Sequence, residues 1–387
     1  IMASNFVTTV SPTYAQELRT PFYAHGLDGV INQQSGKLEG ILNGIDVDLY
    51  DPATNPGLAA NFTPRALVKG KNQCKQALQQ AVGLQENPDV PIIACVSRLV
   101  GHKGFSLVTD SLQEIMGLDV QMVVLGTGDW QYEEAFRNAQ RQYPGRFSAQ
   151  ITYSGPLSNM IYAGADLFLM PSVSEPCGLS QMIAMRYGTV PIVRETGGLK
   201  DTVSPYESWR DAGNGFTFAN YAGSDMLYVI REAVYLYKDY PDAFARLRAR
   251  AMACDFSWAR SAGEYLHIYS TVTGQPWPPA EEPVRTEESA PAEESAPAEE
   301  TAPVEAAEPA SDEPAPQPTA EAAQSSAEPA AEEAAPAAPE KKPAARKRTA
   351  AKKPAAKKTA AKSGRRTPAK KETKPKKGTA GKQEPAE

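Results

Sequence analysis

The chain has 387 residues, but residues 281–387 contain no aromatic residue, no Leu and no Ile. Such a stretch cannot bury enough apolar surface to offset the entropy of ordering. Residues 281–387 are therefore expected to be disordered, and residues 1–280 to carry one or two folded domains. The net charge of −6 conceals a split: residues 281–340 hold 17 acidic residues and one basic, residues 341–387 hold 18 basic and three acidic, and residues 1–280 keep 21 basic against 26 acidic. The mildly acidic globular part gives no sign, at the level of composition, of nucleic-acid binding.

Cys74, Cys95, Cys177 and Cys254 form no C-x-x-C pair, and Cys95 sits in an apolar run, which reads as free thiols in a reducing, cytoplasmic setting. The three histidines, His25, His102 and His267, are scattered, so no metal-ligand cluster is visible and neither a metal nor a cofactor is expected. No apolar stretch of 18 residues and no signal peptide is found, so no membrane association is expected. The opening Ile1 and the strand-like run close behind it suggest a start inside a domain.

In chain order, residues 5–10 (NFVTTV) read as a strand, and residues 11–18 as a helix with Ser11 as N-cap and Pro12 at its first position. Residues 38–46 (LEGILNGID) are an apolar run ending in an Asn-Gly turn, a candidate hinge. A Pro-rich stretch (50–64) precedes a helix near 65–82. A rhythm of short apolar strands and amphipathic helices then begins. The strands are 90–99, 120–129, 147–155, 167–172, 190–195 and 214–220. The helices are 104–117, 130–143, 157–165 and 178–187, then 223–239, 241–253 and 258–272. This alternation predicts an α/β fold, a parallel sheet with helices on both faces.

In such sheets ligands bind beyond the carboxyl ends of the strands. That rim would gather SRLVGHKG, GTGD, SEPCG and ETGGL. Arg98 and Lys103 on the first loop are either solvated surface cations or a pair that meets an anion. The glycines of TGGL either make a tight strand-to-helix turn or open a helix start to an anion. Together, two cations and a helix start can hold a diphosphate without a dedicated metal. Glu175, ahead of its helix, is either a favourable N-terminal charge, worth about 0.3–1 kcal/mol, or an acceptor for sugar hydroxyls.

The segments TTVSPTYAQE, LNGID, VSRLVGHKG, LGTGD, IYAGADLFLMPSVSEPCGLSQMIAMRYGTVPIVRETGGLKDTV and DFSW closely resemble bacterial glycogen synthase and plant starch synthase, over residues 1 to about 273. The resemblance implies the GT-B fold, in which two Rossmann-like domains close on a nucleotide-sugar, usually ADP-glucose, and glucose passes with retention to the non-reducing end of an α-1,4-glucan such as glycogen. It implies a remnant of the first domain at 1–40, a nucleotide-sugar-binding domain at 41–257, a crossover helix at 258–275 and a tail at 276–387. Arg98, Lys103 and Glu175 would be catalytic. Arg98 and Lys103 would neutralise charge on the departing ADP, and losing such a group costs about 10²–10³ in rate.

By the same resemblance, Glu175 and Cys177 would lie against the glucose, with Gly178 beside them. Thr196, Gly197 and Gly198 would serve the donor, the glycines through backbone N–H groups. Tyr153 matches a position that packs on adenine, or is a half-buried strand residue. Asn43 matches a hinge residue near the sugar, or is an ordinary turn Asn. Ile183 stands where many transferases of this fold keep a second Glu, a departure the glycogen synthase group shares. The family's K-T-G-G-L-like loop, with a histidine and an aspartate of the first domain, has no counterpart here. The chain is thus expected to be the donor-binding half, binding ADP-glucose poorly and transferring little or no glucose alone.

EPCGL and YGTVPIVRETGGL favour the glycogen and starch group over sucrose synthase or another GT-B glycosyltransferase. The Lys-rich tail resembles those of linker histones. It is either a solubilising segment or a salt-sensitive binder of nucleic acid or another polyanion, and a polyanion-binding protein with a retired enzyme domain is the competing reading of the whole chain.

Overall fold

The computed structural model describes residues 1–277. The acidic and basic blocks expected to be disordered lie outside the described residues.

The chain opens with β1 (Val7–Thr9) and α1 (Pro12–Glu17). Ser11 caps α1 as its pattern predicts, its Oγ accepting from the Tyr14 N–H at 2.8 Å, with Pro12 at the first position. Two short helices follow, α2 (Pro21–Ala24) and α3 (Asp28–Gln33), where the sequence marked no element. β2 (Leu38–Gly40) then pairs in parallel with β1. The run 38–46 is thus a short strand followed by irregular chain, with no turn at Asn43-Gly44 and with Ile45 bridged to Ser257. α4 (Leu67–Val82) ends at Gly83 in the left-handed conformation that glycine tolerates best.

From here the expected alternation holds. β3 (Ile92–Val96) leads to α5 (Phe105–Asp110) and α6 (Leu112–Met116), so the segment expected as one helix breaks at Ser111. β4 (Gln121–Leu125), α7 (Trp130–Gln142), β5 (Phe147–Gln150), α8 (Gly155–Gly164), β6 (Leu167–Met170), α9 (Ser180–Arg186), β7 (Val190–Arg194), α10 (Gly197–Thr202) and β8 (Phe216–Phe218) follow. Three helices close the described region: α11 (Gly223–Asp239), α12 (Pro241–Met252) and α13 (Trp258–Thr273).

The main sheet is wholly parallel, in the order β5-β4-β3-β6-β7-β8. Residues along each central strand alternate between two buried faces. Ile93 and Cys95 join one core with Val108, Phe136 and Ile230, while Ile92 and Ala94 join the other with Leu78, Ile161 and Met182. The order reverses direction between β3 and β6, which opens a crevice at the carboxyl ends of those two strands.

The opposite, amino end of the same two strands is closed by buried charge. Asp166, immediately before β6, accepts from the Ile92 N–H at 3.0 Å and pairs with Lys75 and Arg248, each at 2.9 Å. Burial opposes the Asp166 charge, but Lys75 and Arg248 outweigh it and hold the carboxyl below its ordinary range. Lys71, also buried, donates to Tyr162 O at 3.2 Å and to Thr189 Oγ1. Burial, with repulsion from Arg248, holds its ammonium well below the usual lysine range. Among the described residues no helix is long and apolar enough to cross a membrane.

Candidate functional site

The crevice between β3 and β6 gathers most of the marked residues. Lys103 ends the short 3-10 turn that follows β3, and its Nζ donates to both carboxylate oxygens of Glu175, at 2.9 and 2.7 Å. Ser172 Oγ adds a bond to Glu175 Oε2 at 3.1 Å. Glu175 is 6% exposed. A carboxylate so placed needs the partners it has, because an uncompensated buried charge costs several kcal/mol, roughly 3–5 when a pair is broken. Gly104, just after Lys103, approaches the Pro171 carbonyl so closely that a Cβ there would lie 1.9 Å from its oxygen. The loops after β3 and β6 can touch only with glycine at this point.

The loop after β6 and the start of α10 are equally close. Gly198 N–H donates to Glu175 O and Pro176 O, both at 3.1 Å. A Cβ on Gly198 would meet Cys177 O at 2.1 Å, and one on Gly197 would meet Glu175 O at 2.1 Å. Of the two readings of TGGL, these contacts fit the tight strand-to-helix turn: the Gly198 amide is committed to protein carbonyls. The Gly197 amide is also engaged, donating to Glu17 Oε1 at 3.0 Å, and Thr196 Oγ1 donates to the same oxygen at 2.8 Å. The glycines are there because two backbones pack at that spot, which sequence spacing alone cannot distinguish from an open anion cradle.

Cys177 is buried, and burial pushes its thiol up, opposed by the Asn43 backbone N–H that faces it. Ile45 is tied to the segment before α13 by a bond from its N–H to Phe256 O at 2.8 Å. Gly178 lies in the left-handed region (φ +73°), where the chain turns into α9. Arg98 is exposed on the loop after β3 and makes no salt bridge among the described residues. Beside it, burial, Lys103 and Arg98 together lower the His102 imidazole below its usual value. Tyr153 is 93% exposed on the loop after β5, an edge strand, and its side chain contacts none of the other marked residues through a hydrogen bond.

Three residues that the sequence did not single out support this arrangement. Arg194, at the end of β7, donates to Ser172 O (3.2 Å) and Val173 O (2.9 Å) and so fixes the turn that presents Glu175. Ser172 caps the carboxylate itself. Glu17, from α1, reaches the start of α10. Only the carboxyl-rim position of PIVRE gave any hint of Arg194.

The parallel order with its reversal at β3/β6 agrees with the comparisons to known proteins. The "Glycosyl transferases group 1" family matches residues 78–240, and the "Starch synthase catalytic domain" family matches residues 1–33. The glycogen synthase of Geobacillus thermodenitrificans is 50% identical over 269 residues, covering 70% of this chain and 55% of that protein. That of Desulforamulus reducens is 48% identical over 266 residues, covering 69% and 55%. The chain belongs to the glycogen and starch synthase family.

Among solved structures in that family, the catalytic domain of starch synthase IV from Arabidopsis thaliana, bound to ADP and acarbose, superposes with a TM-score of 0.66 at 40% identity, covering 70% of this chain and 56% of that one. A glycosyltransferase from Rickettsia africae (TM-score 0.51, 19% identity, 70% of this chain and 64% of that one) shares the fold. The chain spans about half the length of the curated glycogen synthases it matches.

Proposed function

We propose that this chain is the nucleotide-sugar-binding part of a glycogen synthase, a hexosyltransferase that moves glucose with retention from ADP-glucose to the non-reducing end of an α-1,4-glucan. The observation that carries the reading is the Lys103–Glu175 pair, seated at the β3/β6 reversal with Arg98 exposed beside it. Arg98 and Lys103 would meet the diphosphate and offset the charge that grows on the leaving ADP. Glu175, held by Lys103 and Ser172, would accept hydrogen bonds from glucose hydroxyls, with Cys177, Gly178 and Asn43 shaping that side. Tyr153 would offer its exposed ring to the adenine. Thr196 and Gly197 would turn to the donor once Glu17 lets go, and Gly198 would hold the loop in place.

In this reading residues 1–40 belong to the acceptor-side domain, residues 41–257 bind the donor, and residues 258–275 cross back between them. The enzyme works in the cytoplasm. The 18 basic residues of 341–387 support a separate, salt-sensitive association with nucleic acid or another polyanion. Binding to a nonspecific duplex that disappears as salt is raised is the expected outcome, and binding indifferent to salt would refute it.

The test of the donor site is calorimetric titration of ADP and UDP into the full chain, beside Arg98→Ala and Arg98→Ala/Lys103→Ala. ADP binding that weakens in both variants supports the reading. Arg98 is exposed, so its single variant separates loss of the site from loss of the fold. Unchanged ADP affinity in the variants would overturn the assignment of the two cations.

A further inference from the structure

On the opposite rim of the sheet, the connection from α10 to β8 faces α11 and the start of α12 across a cavity of about 670 Å³. This falls within the usual range for ligand sites, about 300–1,000 Å³. It opens beside Phe216, the first residue of β8, whereas the crevice described above lies at the carboxyl ends of β3 and β6. None of Arg98, Lys103 or Glu175 lines it.

Its walls are phenolic. Tyr228, Glu232 and Tyr235 follow one another at helical spacing along α11, so they share one face. That face is not the core. Tyr228 is 63% exposed, and Tyr235 and Tyr240 are each 51% exposed. The rings of Tyr235 and Tyr240 meet edge to face with centroids 5.3 Å apart, and their hydroxyls lie 3.1 Å apart. Across the cavity Tyr206 packs on Phe216, centroids 6.0 Å apart. The rings of Tyr206, Tyr235 and Tyr240 are therefore packed on neighbours before any ligand arrives, which lowers the entropy lost on binding.

Most of the charge around the cavity is already paired. Asp211, at φ +46° in a region few non-glycine residues adopt, is held by Arg246 and by Arg250 at 3.1 Å. The lining charges are Asp211, Glu232 and Arg246, and of these only Glu232 is outside these ion pairs. An anion would gain little here. A neutral polyhydroxylated chain would gain on both counts: its C–H faces lie on exposed aromatic rings, and its hydroxyls meet phenols, Glu232 and the Asp211–Arg246 pair. Clustered, exposed aromatic surface of this kind marks a binding site.

We infer that the cavity between the α10–β8 connection and α11 is a second carbohydrate-binding site, which holds an α-glucan chain away from the donor crevice. The identity of the sugar rests on the proposed function above; the existence of the site rests on the cavity alone.

The test is native electrophoresis of the full chain through gels with and without glycogen, with maltoheptaose as the soluble competitor. The intact chain is retarded by glycogen, and maltoheptaose releases it. Tyr228→Ala/Tyr235→Ala, both at exposed positions, weakens the retardation at least tenfold, and Glu232→Gln weakens it severalfold. Urea midpoints check that the variants remain folded. No retardation of the intact chain, or retardation equal in the double tyrosine variant, overturns the proposal. ADP titration on the same samples keeps the two readings apart. Retardation that depends on the tyrosines without any ADP binding leaves the second site standing and removes the donor site. ADP binding without retardation does the reverse.

Discussion

The Gly198 amide lies 3.1 Å from the Glu175 carbonyl, so the loop after β6 and the first turn of α10 form one packed unit. Glu175 is thus fixed at both ends: its main chain by Gly198, its carboxylate by Lys103 and Ser172. The carboxylate is preorganised by neighbours far away in sequence.

Gly198→Ala should be costly, because its Cβ would collide with backbone and not with a movable side chain. A loss of about 1–3 kcal/mol is expected, as for other overpacked sites. Urea denaturation of the two proteins measures it, and equal midpoints would mean that the two segments are not packed as described.

Lys103→Ala leaves Glu175 without its cation. The expected cost is about 3–5 kcal/mol at most, less the share recovered by water at a lysine that is 17% exposed. Adding Glu175→Ala should return part of that loss. A double-mutant cycle gives the coupling, expected at about 0.5–3 kcal/mol. Strict additivity would show that the pair does not act as a pair.

The buried Asp166 makes stability sensitive to acid. Its folded pKa is held below the unfolded value of about 3.9. Its contribution is therefore fully present above about pH 4 and disappears as the pH falls through the folded value. Lys75, for which burial is outweighed by Asp166, is raised instead. Its contribution is present below about pH 10.4 and fades as the pH rises through its folded value. Asp166→Asn should flatten the acid limb of the stability curve and lower the plateau. An acid limb that survives this substitution would assign it to other carboxylates.

Thiol reactivity should rank by burial. Cys95 is pushed up to about 12 by burial in β3, and burial also raises Cys74 and Cys177, whereas Cys254 is half-buried. Iodoacetamide at pH 8 should label Cys254 first, with Cys95 protected until the chain unfolds. Peptide mass spectrometry reads the order, and early labelling of Cys95 would contradict its place in the core.

Much of this was legible in the sequence, and the reason is specific. Runs such as VPIIACV and VQMVVL are apolar at every position because both faces of a parallel strand are buried. The caps at Ser11 and Pro12 are local and could be read directly. Helices α2 and α3 could not: each is a short turn with a single buried residue, too few to set up a period. The break at Ser111 falls within an unbroken amphipathic pattern, so composition does not mark it. At the site, residue types on the carboxyl rim pointed to Arg98, Lys103 and Glu175. Glu17 was hidden because its partners Thr196 and Gly197 stand about 180 positions away. The two readings of Gly198 could not be separated because a glycine that admits a neighbouring backbone and one that admits a ligand look alike in a sequence.

The grip of α1 on α10 has two ends. Glu17 holds Thr196 and Gly197 at the start of that helix, and Thr13 holds Asp201 near its finish through both its N–H and its hydroxyl. The two grips are roughly 7 Å apart along the axis, at about 1.5 Å per residue. One point of attachment would act as a swivel, whereas two act as a bracket that sets angle as well as distance. Release of either end alone leaves a pivot, so the segments would separate in two stages, the first turning α10 and the second freeing it.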